Sequence, residues 1–292
     1  MTKILLIGSN GQVGTELHQV LNSYPELVAV SRPQIDLYQP EKLGELIAEI
    51  KPHIVINAAA YTAVDRAEQE PDLAELGNAI APQHIAQACA KVDAYLIHLS
   101  TDYVFDGTSS QPYSETAVTN PLSTYGRTKL AGEMAIQTYC PKHLIIRTAW
   151  VYGCGGKANF VKTMLRLGKE REVVKVVYDQ IGSPTWAGDL AGAINQLIPQ
   201  LTSEMAGIYH YTNSGVCSWY DFAIAIFAEA KLLKFPLQIQ EVIPITTLEY
   251  PTPAHRPGYS VLSCTKIHSY LSSYPPYWRN SLIKMLAELI NS

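Results

Sequence analysis

Positive charge is in short supply in this chain. Its 22 lysines and arginines stand against 26 aspartates and glutamates, a formal net charge of -4 over 292 residues. A nucleic-acid footprint needs a dense basic face, so that class of partner is excluded. Long apolar runs are also missing: the first, residues 4–7, stops at Gly8, too short for a signal-peptide core or a membrane span. The expectation is a cytoplasmic protein with no membrane partner. The five cysteines (Cys89, Cys140, Cys154, Cys217, Cys264) are scattered and never form Cys-x-x-Cys, which argues against a disulfide framework or zinc site. None of the eight histidines makes a His-x-x-x-His ligand pair, and His98, inside an apolar run, reads as a satisfied core residue. Neither a Gly-x-Ser-x-Gly elbow nor a P-loop occurs, so hydrolase and kinase chemistry lack support. No Gly/Ser-rich or Pro-rich linker, like-charge tail or internal repeat divides the chain.

What is there describes an ordinary globular protein: 47% hydrophobic residues is enough to bury a substantial core. Short apolar runs alternate with helical patterns through the first half, as a parallel sheet covered on both faces requires. Strands are predicted over 3–7, 27–31, 54–58, 95–100 and 144–148, with helices starting near Gln12, Pro40, Asp72 and Tyr125. Pro40 and Pro71 suit helix N-termini, and Pro141 ends the helix that carries Tyr125. Beyond Tyr152 the rhythm loosens: helices are expected over 160–167, 186–198, 219–230 and 279–290, with a strand over 173–178. The fold class is therefore α/β, a Rossmann-like doubly wound parallel sheet with a smaller mixed α/β C-terminal substrate lobe. The division expected is 1–152 for a dinucleotide domain and 153–292 mainly for the substrate lobe, with later segments returning to the first.

Gly8-Ser9-Asn10-Gly11-Gln12-Val13-Gly14 follows the first predicted strand directly and opens the first helix. Glycines at this spacing permit a tight turn, close backbone approach to a pyrophosphate, and helix-on-strand packing, while the helix N-terminus offers unpaired N–H groups to phosphate. With 18 glycines in the chain, chance supplies only about 0.07 such triplets. At the end of the second strand, Val30-Ser31-Arg32 has no carboxylate for an adenosine 2′-hydroxyl, and Arg32 can pair with a 2′-phosphate. NADPH is thus favoured, with NADH the alternative; Asp36 and Leu37 follow closely enough to touch the adenine side.

Tyr125 and Lys129 lie four apart on a predicted helix and share a face. A nearby ammonium stabilises a tyrosinate, and such a tyrosine can protonate a carbonyl oxygen as hydride reaches its carbon. Spacing alone carries little, because Tyr38…Lys42 repeats it. Position separates the two: Tyr38 precedes Pro40, away from the expected site, whereas Tyr125 follows the strand ending Ser100-Thr101-Asp102. Ligands in such sheets bind beyond the carboxyl ends of strands, which places the Thr101 hydroxyl near the reacting oxygen and Asp102 near substrate.

Several longer segments narrow the reading. They are 57–65 (Asn57-Ala58-Ala59-Ala60-Tyr61-Thr62-Ala63-Val64-Asp65), 100–107 (Ser100-Thr101-Asp102-Tyr103-Val104-Phe105-Asp106-Gly107), 120–133, 147–153, 179–185 and 251–258. In order and across essentially the whole chain, they resemble the dTDP-4-dehydrorhamnose reductase family of the extended short-chain dehydrogenase/reductase superfamily. The resemblance implies NADPH-dependent reduction of the C4 ketone of dTDP-4-dehydro-β-L-rhamnose to dTDP-β-L-rhamnose, the last step of dTDP-rhamnose synthesis. It implies Tyr125 as proton donor and Lys129 as ligand of the nicotinamide ribose that lowers the Tyr125 pKa. Gly11, Gln12 and Val13 would line the phosphates, and Ala58, Ala59 and Ala60 would pass behind the cofactor. Thr101, Asp102 and Trp150 would meet the sugar, and Arg256 the diphosphate. Some family members hold a divalent metal through glutamates at a dimer interface. Glu16 matches one of these, but Gly188-Asp189 stands where another glutamate belongs, so no Mg2+ site is assigned, Glu16 stays a lone candidate, and a homodimer is left open.

Two other readings stay open on the sequence. One is another extended-branch nucleotide-sugar enzyme, an epimerase or dehydratase that retains its cofactor through a cycle. The other is a non-catalytic subunit of the kind that regulates methionine adenosyltransferase. The complete set of Thr101, Asp102, Tyr125, Lys129 and the glycine loop weighs for catalysis.

Overall fold

Successive side chains of a strand point to opposite faces, and in the central strands of this chain both sets are apolar. The computed structural model describes residues 2–291. Its longer strands are β1 (Lys3–Ile7), β2 (Glu26–Val30), β3 (Ile54–Asn57), β4 (Tyr95–Thr101), β5 (His143–Thr148), β6 (Val173–Val177), β7 (Gly207–His210) and β8 (Glu241–Ile245). Ile4, Leu6, Ile54, Ile56, Leu144 and Ile146 enter one core, and Leu5, Ile7, Val55, Leu96 and Ile145 the other. Six strands make one all-parallel sheet in the order β7-β5-β4-β3-β1-β2.

The longer helices are α1 (Gln12–Val20), α2 (Pro40–Ile50), α3 (Ala81–Lys91), α4 (Thr124–Tyr139), α5 (Phe160–Glu170), α6 (Ala187–Leu197), α7 (Trp219–Leu232) and α8 (Trp278–Asn291). α1 and α6 cover the first face through Leu17, Leu190 and Ile194; α2, α3 and α4 cover the second through Leu43, Ile85 and Ile136. The doubly wound sheet expected from the sequence is present. Caps fix several helix starts: Pro40 opens α2, the Ser123 side chain accepts from Gly126 N in α4, Asn159 accepts from Lys162 N in α5, and Ser218 with Asp221 forms a capping box on α7.

Two departures from the sequence reading have plain causes. The helix expected near Asp72 is a broken run: Pro71–Glu75, a π-helical Leu76–Ile80, then α3. Pro82 lacks an N–H, so the ladder is re-registered just ahead of it. The sixth strand of the sheet, β7, went unread because it is four residues long and begins with a glycine at φ 146°. It runs parallel beside β5, so the chain re-enters the sheet through α6 and β7 after leaving it at Thr148.

A second core lies beside the sheet. Val161, Val174, Phe222, Ile226, Leu282 and Leu286 join α5, α7 and α8 to the parallel pair β6–β8. Among the described residues no helix is long and apolar enough to cross a membrane.

Candidate active site

β1 lies between β2 and β3, and the connection from β1 to β2 runs toward one edge of the sheet while that from β3 to β4 runs toward the other. Such a switch point opens a crevice, and the glycine loop fills it. Gly8 N and Ser9 N both donate to the Val30 carbonyl, at 2.8 and 3.1 Å, which pins the loop to the end of β2. Gly8 has φ 89°, a backbone that favours glycine, and a Cβ there would meet Ala59 at 2.9 Å. A Cβ on Gly14 would fall 1.9 Å from the Gly8 carbonyl oxygen. Gly11 caps α1 with no side-chain hydrogen bond, so the first-turn N–H groups of Gln12, Val13 and Gly14 face outward without a side-chain acceptor. These features form a cradle for an anion. Ala58, Ala59 and Ala60 follow β3 alongside, with Ala59 N donating to Asn57 Oδ1 at 3.1 Å. Gln12 reaches across to the second lobe: its Nε2 donates to the Val151 carbonyl at 2.7 Å, and its Oε1 accepts from Asn159 at 2.8 Å.

Arg32 lies exposed two residues beyond β2. Asp36 Oδ1 accepts from Tyr38 N at 3.1 Å, and Leu37 packs on the core beneath. Tyr38, expected to lie away from the site, packs on the same small cluster of Tyr61, Ala67 and Ala74 as Tyr125 does. The connection from β2 to α2 folds back over the residues after β3, which is why sequence distance misplaced it.

The reactive groups meet where β4 ends and α4 begins. Thr101 Oγ1 donates to Asp102 Oδ1 at 3.1 Å and accepts from Tyr103 N at 3.2 Å. Tyr125 packs edge-on to Tyr103, with ring centroids 5.5 Å apart. Burial pushes the Tyr125 phenol up to about 12, with the Thr101 hydroxyl pulling it down and Asp102 pushing it up. Asp102 is itself buried and raised to about 6 by desolvation against the pull of the Ser260 and Thr101 hydroxyls, and its Oδ2 has no geometrically sound hydrogen bond among the described residues. A buried acceptor without a donor is costly in a folded chain, and it is suited to a sugar hydroxyl.

Lys129 is engaged away from Tyr125. Its Nζ donates to the Leu99 carbonyl at 2.7 Å and sits 3.2 Å from His98 Nε2. It therefore turns toward β4 rather than toward the phenol, and it is not among the groups that shift Tyr125. His98 in turn lies 3.0 Å from Asn57 Nδ2. The sequence reading took His98 as a satisfied core residue, which it is, and gave Asn57 no role of its own. A signal existed: each is a polar residue directly after three apolar ones in a buried strand, and the register pairs them directly across β3 and β4.

Trp150 stands just past β5 at φ 50°, a left-handed backbone uncommon for a bulky residue and a mark of strain at a constrained site. Its indole stacks on Trp219, with centroids 3.5 Å apart and planes 5° from parallel. Trp219 was not singled out from sequence; it opens α7, far along the chain. Arg256, expected to present an open fork to a diphosphate, is instead held two-pronged by Asp65 at 2.8 and 3.0 Å and also donates to Thr252. The charge of Tyr103, were it ionised, would act on Arg256, so this pair stands next to the aromatic neighbour of Tyr125. Glu16 is buried in α1, raised by desolvation and by the facing Glu288. Among the described residues no group of three or more His, Cys, Asp or Glu is placed to hold a metal.

Comparison with known proteins adds a whole-chain match. The model of a family described as the RmlD substrate binding domain covers residues 1–291. The chain is 45% identical over 295 residues to a dTDP-4-dehydrorhamnose reductase of Escherichia coli (strain K12), spanning 99% of this chain and 98% of the relative. A solved dTDP-4-dehydrorhamnose reductase from Clostridium acetobutylicum superposes with a TM-score of 0.91 at 40% identity, over all of both chains. Another, from Bacillus anthracis in complex with NADP, gives a TM-score of 0.91 at 39% identity, covering 99% of this chain and 100% of that one.

Proposed function

The chain belongs to the dTDP-4-dehydrorhamnose reductase family, and on that premise we propose that it reduces the C4 ketone of dTDP-4-dehydro-β-L-rhamnose to dTDP-β-L-rhamnose with NADPH. Residues 1–152 serve chiefly the dinucleotide and 153–292 chiefly the sugar nucleotide, with α6 and β7 returning to the sheet. One observation carries the reading: Tyr125, Thr101 and Asp102 converge at the carboxyl end of β4, in the sheet whose β1 leads into an uncapped glycine loop.

The dinucleotide, when bound, supplies the hydride. Gly8, Gly11 and Gly14 let the backbone approach its phosphates, and the N–H groups of Gln12 and Val13 donate to them. Arg32 pairs with the 2′-phosphate beside Asp36 and Leu37, and Ala58, Ala59 and Ala60 are small enough to back the cofactor. Tyr125 then donates its proton to the C4 oxygen as negative charge develops there. A phenol held near 12 is a secure donor but a reluctant one, so Thr101, which favours the phenolate, shares that oxygen. Lys129 reaches the nicotinamide ribose and Tyr125 by turning from Leu99. Asp102 Oδ2 accepts a sugar hydroxyl, Trp150 walls the sugar, and Arg256 beside Asp65 answers the diphosphate.

Following NADPH absorbance with the keto-sugar tests the assignment. Tyr125→Phe is expected to lower kcat by about 10²–10⁴-fold with cofactor affinity retained, the range of a lost general acid. A phenylalanine variant that keeps most of the rate overturns the proposed proton donor.

A further inference from the structure

Gln12 stands in the glycine loop, but its side chain leaves the loop for the second lobe. Donor and acceptor counting fixes how its amide lies. Asn159 Oδ1 accepts from Lys162 N at 2.9 Å, capping α5, so Asn159 turns its NH₂ outward, to the Gly153 carbonyl at 2.9 Å and to Gln12 Oε1 at 2.8 Å. Gln12 then has its own NH₂ to give, and the Val151 carbonyl, which can only accept, takes it at 2.7 Å. Neither amide can flip without setting donor against donor or acceptor against acceptor. The loop between these anchors is held as well. Lys162 Nζ gathers the carbonyls of Cys154, Gly155 and Gly156 at 2.6, 3.3 and 2.9 Å. A Cβ on Gly155 would meet Thr15 of α1 at 2.8 Å, so the loop lies close against that helix.

Both anchors adjoin the aromatic wall. Val151 follows Trp150, whose own carbonyl accepts from Thr185 N at 3.2 Å. Asn159 precedes Phe160, whose ring packs on Trp219 with centroids 4.5 Å apart, and Trp219 stacks on Trp150. One residue thus has its backbone N–H at the uncapped start of α1 and its side chain fastened beside both members of the stack.

We propose that Gln12 is a positioning residue that couples the two ligand sites, so that dinucleotide and sugar nucleotide each bind more tightly when the other is present. The proposal rests on the reading of the glycine loop as the phosphate cradle and of Trp150 as the sugar wall. A phosphate on the Gln12 N–H fixes that backbone, which stiffens the hold of its side chain on Val151 and Asn159. A sugar against Trp150 fixes residues 150–151, which keeps Gln12 in place for phosphate. Whichever ligand arrives first bears the ordering cost of the shared residue, and the second is spared it. Coupling of this kind is reciprocal, the same factor acting in both directions.

Two variants cut the link from opposite ends. Gln12→Met keeps the length of the side chain and removes its amide. Asn159→Ser keeps a capping oxygen for α5 and withdraws the NH₂ from Gln12. The probes are NADPH and dTDP-β-L-rhamnose, both already reduced, so no turnover disturbs the titration. By calorimetry, saturating NADPH should tighten the parent's hold on the sugar nucleotide about 5–10-fold, the lower part of the range for linked sites. The sugar nucleotide should tighten NADPH by the same factor. In both variants the ratio should fall below about 2-fold, the level of unlinked sites. A merely structural defect would weaken each ligand alone and leave that ratio where it was. A parent ratio near one, or a ratio unchanged in both variants, overturns the proposal.

Hydrogen exchange reads the link with NADPH as the sole ligand. Amides of residues 151–163 should exchange more slowly when NADPH saturates the parent, and this protection should be lost in both saturated variants. Protection absent from the parent, or kept in both variants, overturns the proposal too. A parent that binds NADPH but not dTDP-β-L-rhamnose would count against the reductase reading, and the link would then be judged by exchange alone.

Discussion

Around the sheet the packing is aliphatic: Ile4, Leu6, Ile54, Ile56, Leu144 and Ile146 interleave with α1 and α6. Beside the proposed sugar pocket it turns aromatic, with Trp150 on Trp219, Phe160 against Trp219, and Phe222 against Trp278. Branched aliphatics suit parallel strands buried on both faces, and they make a platform whose loops, the glycine turn above all, hold position by backbone geometry. Flat rings offer broad walls with directional edges, and here the wall is set by one strained backbone and a stack drawn from distant parts of the chain. One half positions its ligand groups by main chain, the other by side chain.

Substitutions in each half should separate those modes. The largest effect is expected at Gly14→Ala, where the new Cβ would sit 1.9 Å from a backbone oxygen that cannot yield. NADPH affinity by fluorescence titration should fall more than about 100-fold, because loop and helix must part. Glu133→Gln comes next. It breaks the buried pair with Arg147, both side chains at most 2% exposed, and should cost about 3–5 kcal/mol of unfolding free energy, measured by urea denaturation. Trp219→Ala, in the aromatic half, should cost about 2 kcal/mol, since the ring is only partly buried. Its signature is a raised KM for the sugar nucleotide with unchanged NADPH affinity; a loss of NADPH affinity would erase the contrast between the two halves.

The smallest effect is expected between the halves. Asp65 is 41% exposed where it pairs with Arg256, so Asp65→Asn should cost under about 1 kcal/mol and less at high salt. The guanidinium holds the Asp65 carboxyl below its ordinary value of 3.8. The pair's contribution is therefore present above that value and lost as pH falls below it. Thermal melts of parent and variant should converge in acid and differ slightly at neutral pH.

Legibility in the sequence followed the same division. β1, β3, β4 and β5 could be read because each strand, buried on both faces, carries at least three consecutive apolar residues, and the glycine loop because its spacing has a backbone reason. β7 could not, since four residues beginning with glycine carry no period. In the aromatic half Trp150 was found only through resemblance, and Trp219 not at all, because a stack between residues 150 and 219 leaves no local pattern. Tyr125 was found by its place after β4. The direction in which Lys129 points could not be, because it depends on Asn57 and His98 meeting across two strands.

Net reduction at C4 is read most directly by an isotope experiment. NADPH deuterated at its transferable position is mixed with dTDP-4-dehydro-β-L-rhamnose, and both cofactor and sugar are quantified. One NADPH should be oxidised per sugar converted, with one deuterium at C4 of the product. Sugar conversion without net NADPH oxidation, or with no deuterium at C4, would contradict the account.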